Sequence, residues 1–300
     1  MDWLQHPRFA NERTRAINQL RDDKYDFHRI KKVVFLCGGL ASPRRDTLNA
    51  YFQRHIPDCL VFYAEAAWAV IASLTTSTNA LAVEEKLADL ADIVVIIVES
   101  PGTFAEVGAF AMSERLRAKL LPILDSRHRS RESFIATGPI RWVDAESTFK
   151  PTIWTDLDQI LNATGELEER LSRLKKSTPT RVSDLLSSPK HVLFFVCDLV
   201  AVFGPCPRDH MVANLKDLLG ARAPEVDIDL YLGLGRAMNL LGSFRVADRD
   251  MFFRVLDDGR LSSFQRRRHI DLSTLRAGVL SAMQACGLCD VVLAELARQA

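Results

Sequence analysis

The sequence predicts an α/β protein with a parallel β-sheet in its N-terminal half and a mainly helical module in its C-terminal half. Between residues 32 and 155, short apolar runs alternate with helical patterns, which is typical of βα units on a parallel sheet. The run from Ile93 to Val98 has no polar face, so we expect it at the centre of that sheet. After about residue 157 the pattern becomes mainly helical. The 300-residue chain is therefore expected to hold two domains.

Five strands and three helices are predicted in the first half. The strands are expected at Lys32–Cys37, Leu60–Tyr63, Asp92–Val98, Leu120–Leu124 and Thr152–Trp154. The helices are expected at Asp46–His55, Val83–Leu90 and Phe104–Lys119. In the last of them, apolar residues recur near three- and four-residue intervals. This order of elements predicts a Rossmann- or flavodoxin-like parallel sheet.

The second half follows a polar boundary at Lys175–Pro189. Three helices are predicted there, at His191–Phe203, Arg208–Leu219 and Ile228–Leu241. The segment Phe244–Phe264 is predicted to form two β-strands around a turn at Asp257-Asp258-Gly259. Three short helices and a hairpin outline a winged helix-turn-helix, although the same elements fit other small α+β modules. The expected division is an N-terminal helical extension at 1–30, the sheet domain at 31–165 and the winged-helix-like domain at 185–300.

Composition excludes several classes of protein. The chain is 48% hydrophobic and 26% charged, which is the balance of a soluble globular protein. Its apolar runs are far shorter than the roughly 20 residues that span a bilayer, and its N-terminus is polar, so we expect a cytoplasmic protein without a membrane span. Cys286 and Cys289 form a CxxC pair, but no second pair completes a zinc site. We therefore expect no bound metal and mostly structural thiols.

Ligands of an open parallel sheet bind beyond the carboxyl ends of its strands, so the residues after each strand are candidates for a site. After the first strand come Cys37, Gly38 and Gly39, whose glycines permit close backbone approach to a ligand, and then Arg44, which can meet a phosphate. Many strand-to-helix turns require such glycines without any ligand. Glu65 follows the second strand.

The loop after the third strand carries the strongest signal. Ser100, Pro101, Gly102 and Thr103 form a tight turn that leads into a helix, and a helix N-terminus favours anions. Glu106 is expected in the first turns of that helix, ionised, where it suits attack on an oxocarbenium-like sugar carbon or stabilisation of it. A glutamate near a helix start is equally explained as a helix stabiliser worth about 0.3–1 kcal/mol.

Basic and aromatic residues provide further candidates with open alternatives. The arginines after the fourth strand fit a pyrophosphate, a nucleic acid, another subunit or simply a solvated loop; they are Arg127, Arg129, Arg131 and Arg141. The cluster Arg266, Arg267 and Arg268 fits contacts to a phosphate backbone or a charged helix start. Trp68 and Phe104 fit either base stacking or the core.

Several motifs in order resemble one known family. The runs FLCGG, FYAE, VVIIVESPGTFAEVGAF, KLLPILD and RSRESFIATGPIR, within about residues 32–141, resemble the effectors of retron antiphage systems that carry a nucleoside 2-deoxyribosyltransferase-like domain. In that resemblance Glu106 takes the position of the nucleophile that holds the sugar. The GG turn, Glu65 and Glu99–Thr103 would line the nucleoside pocket. The turn FLCGG departs from the Tyr-containing, Gly-Pro turn of the classical transferases, so the base specificity is left open.

A second motif resemblance agrees on the reaction class. Ser-Pro-Gly-Thr followed by Glu106 is similar to the phosphate-binding loop of nucleoside-monophosphate phosphoribohydrolases, which cleave the same kind of bond. Glu65 and Glu99 are the candidates for a second acid–base group, and no cofactor or metal is required. NAD or nucleotides are the expected substrates.

The resemblance also implies a biological setting. It implies a toxin of a retron-type defence system that is restrained by a reverse transcriptase and its multicopy DNA–RNA product, and it is compatible with a homo-oligomer. The alternative is a non-enzymatic subunit that senses a nucleotide or acts as a scaffold on that complex. An ionised Glu106 facing the sugar favours the enzyme, because a pocket that only binds an anionic nucleotide gains nothing from it.

Overall fold

A computed structural model describes two compact units of the chain. The described residues are 6–21, 26–29, 31–63, 87–174, 180–246, 250–256, 264–266, 272–287 and 290–299. The first unit contains those between 31 and 174, and the second contains those before 31 and from 180 onward. Five candidates from the sequence lie outside the described residues; they are Glu65, Trp68, Arg267, Arg268 and Cys289. No helix in the described part has the length and apolarity needed to cross a membrane.

Two elements before residue 31 belong to the second unit. They are helix α1 (Pro7–Arg21) and strand β1 (Asp26–Arg29). Helix α1 buries Phe9, Ile17 and Leu20.

The first unit is built on a five-stranded parallel sheet. Its strands are β2 (Lys32–Cys37), β3 (Cys59–Phe62), β4 (Ile93–Ile97), β5 (Leu120–Asp125) and β6 (Ile153–Thr155). They lie in the order β3-β2-β4-β5-β6, and every pairing is parallel. This order is known from flavodoxin-type sheets. The predicted parallel sheet is thus confirmed, with each strand within one residue of its expected bounds.

Helices connect these strands. They are α2 (Pro43–His55), α3 (Pro101–Met112), α4 (Glu114–Arg117), α5 (Arg141–Glu146) and α6 (Thr164–Ser172), with 3₁₀ turns at Ser126–His128 and Leu157–Ala163 and a π turn at Ala136–Ile140. The predicted single helix Phe104–Lys119 was wrong in one respect, because it is divided at Ser113. The Ser113 hydroxyl accepts a hydrogen bond from the Leu116 N–H (3.5 Å) and so begins a new helix. Of the predicted helix Val83–Leu90, residues 87–90 are described and helical.

Both faces of the sheet are covered. Val34 and Leu36 of β2 lie in one buried cluster with Leu48 and Phe52 of α2. On the other face, the ring of Phe35 stacks on Phe62 at 4.9 Å and contacts Phe110 of α3 at 6.4 Å. Side chains alternate between the faces of a strand, so the apolar residues of β2 after Lys32 pack against a helix on each side.

The second unit combines helices with two small antiparallel sheets. Its further elements are β7 (Thr180–Arg181), α7 (Pro189–Phe203), β8 (Cys206–Pro207), α8 (Arg208–Leu219), α9 (Ile228–Ala237), β9 (Leu241–Val246), β10 (Asp250–Val255), β11 (Phe264–Arg266), α10 (Leu272–Ala285) and α11 (Asp290–Gln299), with 3₁₀ turns at Val182–Ser187 and Gly220–Glu225. The sheets have the strand orders β11-β1-β7 and β8-β10-β9. The three predicted helices are confirmed, but the third, expected at Ile228–Leu241, ends at Ala237, and Leu241 is the first residue of β9. The winged-helix interpretation stays a prediction.

A hairpin that the sequence did not predict is formed by β9 and β10. These strands pair antiparallel, and Val246 lies opposite Asp250. The predicted turn at 257–259 lies outside the described residues. Phe244 and Phe252 stack across the pair with ring centroids 5.8 Å apart, which anchors this register. Arg266, expected after the hairpin, ends strand β11 opposite Phe27 of β1. The predicted turn at Asp257-Asp258-Gly259 stays a prediction.

Candidate functional site

The loops after β2 and β4 face each other at the centre of the first unit's sheet. Strands β2 and β4 are hydrogen-bonded neighbours, but the chain leaves β2 toward β3 on one side and β4 toward β5 on the other. Such a reversal of direction opens a crevice between the two loops, where α/β sheets bind ligands. The crevice here is bounded by residues 38–42 and 98–103.

Glu99 ties the two loops together. Its Oε1 accepts a hydrogen bond from the Gly39 N–H (2.9 Å), and its Oε2 accepts one from Nη1 of Arg44 (2.9 Å). Burial raises the pKa of Glu99, but hydrogen bonds from Ser42, Arg44 and Gly39 outweigh burial and hold that pKa below its ordinary value. The ionised side chain of Glu99 therefore joins the two loops through its hydrogen bonds.

The glycines after β2 lie close to neighbouring side chains, and Gly38 has the less space of the two. A Cβ on Gly38 would lie 3.1 Å from Cβ of Arg45 and 3.3 Å from Oε1 of Glu99. A Cβ on Gly39 would lie 3.5 Å from Cβ of Ser100. The loop after β2 therefore rests directly on the loop after β4, and Cys37, the residue before the glycines, is buried.

The loop before α3 is fixed by a capping box. The Thr103 hydroxyl accepts hydrogen bonds from the backbone N–H groups of Glu99 (3.0 Å) and Ser100 (2.9 Å), while Oγ of Ser100 accepts from the Thr103 N–H (3.3 Å). The side chain of Thr103 is 1% exposed, so it is committed to shaping the loop. Pro101 and Gly102 are exposed. These two residues form the solvent-facing surface of the loop.

Phe104 and Glu106 follow on α3. Phe104 is 45% exposed and so is not a core residue, while its stacking role stays a prediction. Glu106 lies in the second turn and is half-buried, whereas Val107 and Phe110 bury the face that packs on the sheet. Because side chains lean toward the N-terminus of a helix, a residue at the position of Glu106 leans toward the crevice.

Two arginines predicted to meet phosphate already contact carboxylates. Arg44 donates to Asp158 Oδ1 (2.7 Å) and to the Leu157 carbonyl (2.8 Å), in addition to Glu99. The guanidinium of Arg127 donates to both oxygens of Asp125 and lowers the pKa of that carboxyl to about 2. Asp158 was missed by sequence reasoning, although it comes shortly after β6, where the rule of strand carboxyl ends applies.

The remaining described basic candidates belong to both units. Arg129, Arg131 and Arg141 are exposed, and no ion pair joins them to other residues of the described part. Arg266 lies in the second unit. The roles of these arginines in binding phosphate or nucleic acid stay predictions. No group of three or more potential metal ligands occurs among the described His, Cys, Asp and Glu residues.

Comparison with known proteins identifies relatives of this chain. A family model described as STM3845 retron effector protein matches residues 41–243. A protein of Escherichia coli retron Ec73, provisionally named a ribosyltransferase/DNA-binding protein, is 28% identical over 217 residues, which are 65% of this chain and 69% of that protein. Another, of Escherichia coli retron Ec86 and named in the same way, is 35% identical over 114 residues, which are 37% of each chain.

Proposed function

The chain belongs to the STM3845 retron effector family, and on that premise we propose that its first unit cleaves or transfers an N-glycosidic bond of NAD, a nucleoside or a nucleotide. Glu106 attacks the anomeric carbon or stabilises the oxocarbenium-like transition state, and the base leaves. Water or another acceptor then takes the sugar. The provisional ribosyltransferase names of the two relatives support transfer at a ribosyl carbon.

The placement of Glu106 is the observation that carries this proposal. Its helix starts at the crevice where the sheet's connections change direction, and the capping box of Ser100 and Thr103 fixes that start. The proposed mechanism uses the carboxylate of Glu106 in its ionised form. An ionised carboxylate at a rigid position can act on a developing cation without reorganising at the moment of reaction.

The other polar groups of the crevice have supporting roles in this proposal. Glu99 keeps the two loops in register, and its ionised, multiply bonded carboxylate is poorly suited to donate a proton. Retaining chemistry requires a second acid–base group. Glu65, which follows β3 in the sequence, is then the better candidate. Cys37, Gly38, Gly39 and the segment 100–104 are proposed to line the substrate pocket.

The second unit is proposed to connect the enzyme with a retron complex. Helices α7, α8 and α9 followed by the β9–β10 hairpin support a winged-helix-like module, and β8, between α7 and α8, pairs with β10 as a third strand. The relatives' names also include DNA binding. The proposed partners are a reverse transcriptase and its multicopy DNA–RNA product, which restrain a toxin until a phage attacks.

The test is base release by purified protein. Wild type, Glu106→Gln and Glu114→Gln are incubated with NAD and a panel of nucleosides and nucleotides, and released base is measured by chromatography. Glu114 is an exposed carboxylate that lies shortly before the N-terminal end of β5, whereas the crevice lies at the carboxyl ends of the strands. Its variant therefore controls for the loss of one charge. We expect release by wild type and Glu114→Gln and a loss of at least about 100-fold in Glu106→Gln.

The opposite result would support another function. If wild type releases no base from any substrate but binds a nucleotide equally well with and without the Glu106 carboxylate, the site is a sensor or scaffold. A Glu106→Gln variant as active as wild type would remove this residue from the mechanism and leave the reaction class to be explained by another carboxylate.

A further inference from the structure

A second concave surface lies in the first unit between the first turn of α2 and the 3₁₀ turn Leu157–Ala163. Its volume is about 630 Å³. That is within the range of clefts that hold small organic ligands. The cleft is lined by Pro43, Arg44, Thr47 and residues 157–162.

The lining is suited to a ligand with one anionic group. Arg44 is the cation among the described lining residues, and the amide side chains of Gln159 and Asn162 and the hydroxyl of Thr47 add neutral polar groups. Leu161 is 49% exposed, which adds an apolar surface. Such a mixture fits a phosphorylated small molecule better than a neutral or cationic one.

Asp158 occupies the position that a ligand's anion would take. One oxygen of its carboxylate lies 2.7 Å from Nη2 of Arg44 and the other lies 3.8 Å from Nη2 of Arg127. The side chain of Asp158 is 61% exposed. Exposed ion pairs are weak, so a phosphate with more charge and more acceptor oxygens can replace this carboxylate.

Arg44 would keep its place after such a replacement. Its Nη1 is bonded to Glu99, whose side chain is only 7% exposed, and its Nε donates to the Leu157 carbonyl (2.8 Å). Only the Nη2 side of the guanidinium depends on Asp158. The anion site is therefore preformed, with a fixed cation and an exposed internal counterion.

We infer that this cleft binds the phosphate of a small phosphorylated ligand, with Arg44 as the anchor, Arg127 as a second contact and Asp158 as a displaceable internal anion. The inference concerns binding and does not depend on the reaction proposed for Glu106. A protein without glycosidase activity can still bind phosphate here.

Binding of inorganic phosphate, AMP and adenosine to the full chain tests the inference. Affinities are measured by calorimetry at constant ionic strength for wild type, Asp158→Asn and the control Glu114→Gln. Removing the competing carboxylate is expected to tighten the binding of phosphate and AMP about two- to fivefold, which corresponds to about 0.4–1 kcal/mol. Adenosine binding and the Glu114→Gln affinities should equal those of wild type.

The Arg44→Gln variant tests the role of the arginine independently. It is expected to weaken phosphate binding at least about tenfold, and circular dichroism shows whether the variant is folded. If Asp158→Asn binds both phosphate and AMP more tightly than wild type, the site accepts phosphate groups in general. If it binds only AMP more tightly, the site accepts the phosphate of a nucleotide. Three outcomes would overturn the inference. Asp158→Asn could bind phosphate and AMP no more tightly than wild type, or it could bind adenosine more tightly by the same factor. Folded Arg44→Gln could also bind phosphate as tightly as wild type.

Discussion

Replacing Thr103 with valine tests whether the capping box holds the loop before α3. The substitution keeps the shape of the side chain but removes an oxygen that accepts two backbone hydrogen bonds, from Glu99 and Ser100. The donors are half-buried, so each of these two lost bonds should cost about 1 kcal/mol, and the loss of the hydrogen bond that the hydroxyl donates to the Ser100 carbonyl (2.8 Å) costs up to a similar amount. We expect the free energy of unfolding to fall by about 2–3 kcal/mol.

Thermal and urea denaturation of Thr103→Val and Thr103→Ser measure this effect. For a unit of this size, about 2–3 kcal/mol corresponds to a fall in melting temperature of roughly 5–10 °C. Thr103→Ser keeps the hydroxyl and should lose less than about 1 kcal/mol. Equal stability of the two variants would refute the reasoning, because it would mean that losing the hydroxyl costs no more than losing the methyl group.

Three further predictions concern packing, pH and thiol reactivity. Gly38→Ala should destabilise the protein by about 1–3 kcal/mol, because its Cβ would lie 3.1 Å from a neighbouring side-chain carbon. Gly39→Ala should destabilise it clearly less, because the nearest atom to its Cβ would be 3.5 Å away. Equal losses of stability in urea denaturation would contradict the packing argument. The pKa of Glu99 is lowered in the fold, so its carboxylate stabilises the protein fully above the ordinary pKa of 4.5 and progressively less as pH falls through the lowered value. The stability difference between wild type and Glu99→Gln should accordingly shrink from pH 7 to pH 3 in urea denaturation, and a constant difference would exclude this linkage. Burial raises the pKa of Cys206 to about 12, so iodoacetamide should label half-buried Cys286 in the native protein and Cys206 only after unfolding, as read by mass spectrometry.

The sheet was predictable because its strands are short, mostly apolar runs separated by helical patterns, and three of its four pairings join strands that follow each other in the sequence. The all-apolar run of β4 predicted a central strand, and it pairs with β2 and β5. The helix break at Ser113 was less visible, because the apolar spacing continues across it and only the serine cap marks the end of α3.

The small sheets of the second unit were not predictable from local patterns. Strand β1 pairs with β11 and β7, which lie far away in the sequence. The pairing of β9 with β10 was missed because no strong local turn signal marks it, and its register is anchored by the aromatic pairing of Phe244 with Phe252. A cross-strand pair that buries two large side chains stabilises such a register without a strong turn sequence.

The candidate site was predictable in position and only partly in the roles of its residues. The rule that ligands bind at the carboxyl ends of strands selected both loops of the crevice, but it treats every polar side chain there as available to a ligand. Thr103 and Glu99 instead satisfy the loops themselves, because backbone N–H groups left at a helix start and a tight glycine turn need acceptors. What remains beyond those internal bonds is the exposed rim of the loop, formed by Pro101 and Gly102. Which polar groups hold the loops together and which face solvent depends on contacts between residues that are distant in the sequence. Local sequence patterns do not contain that information.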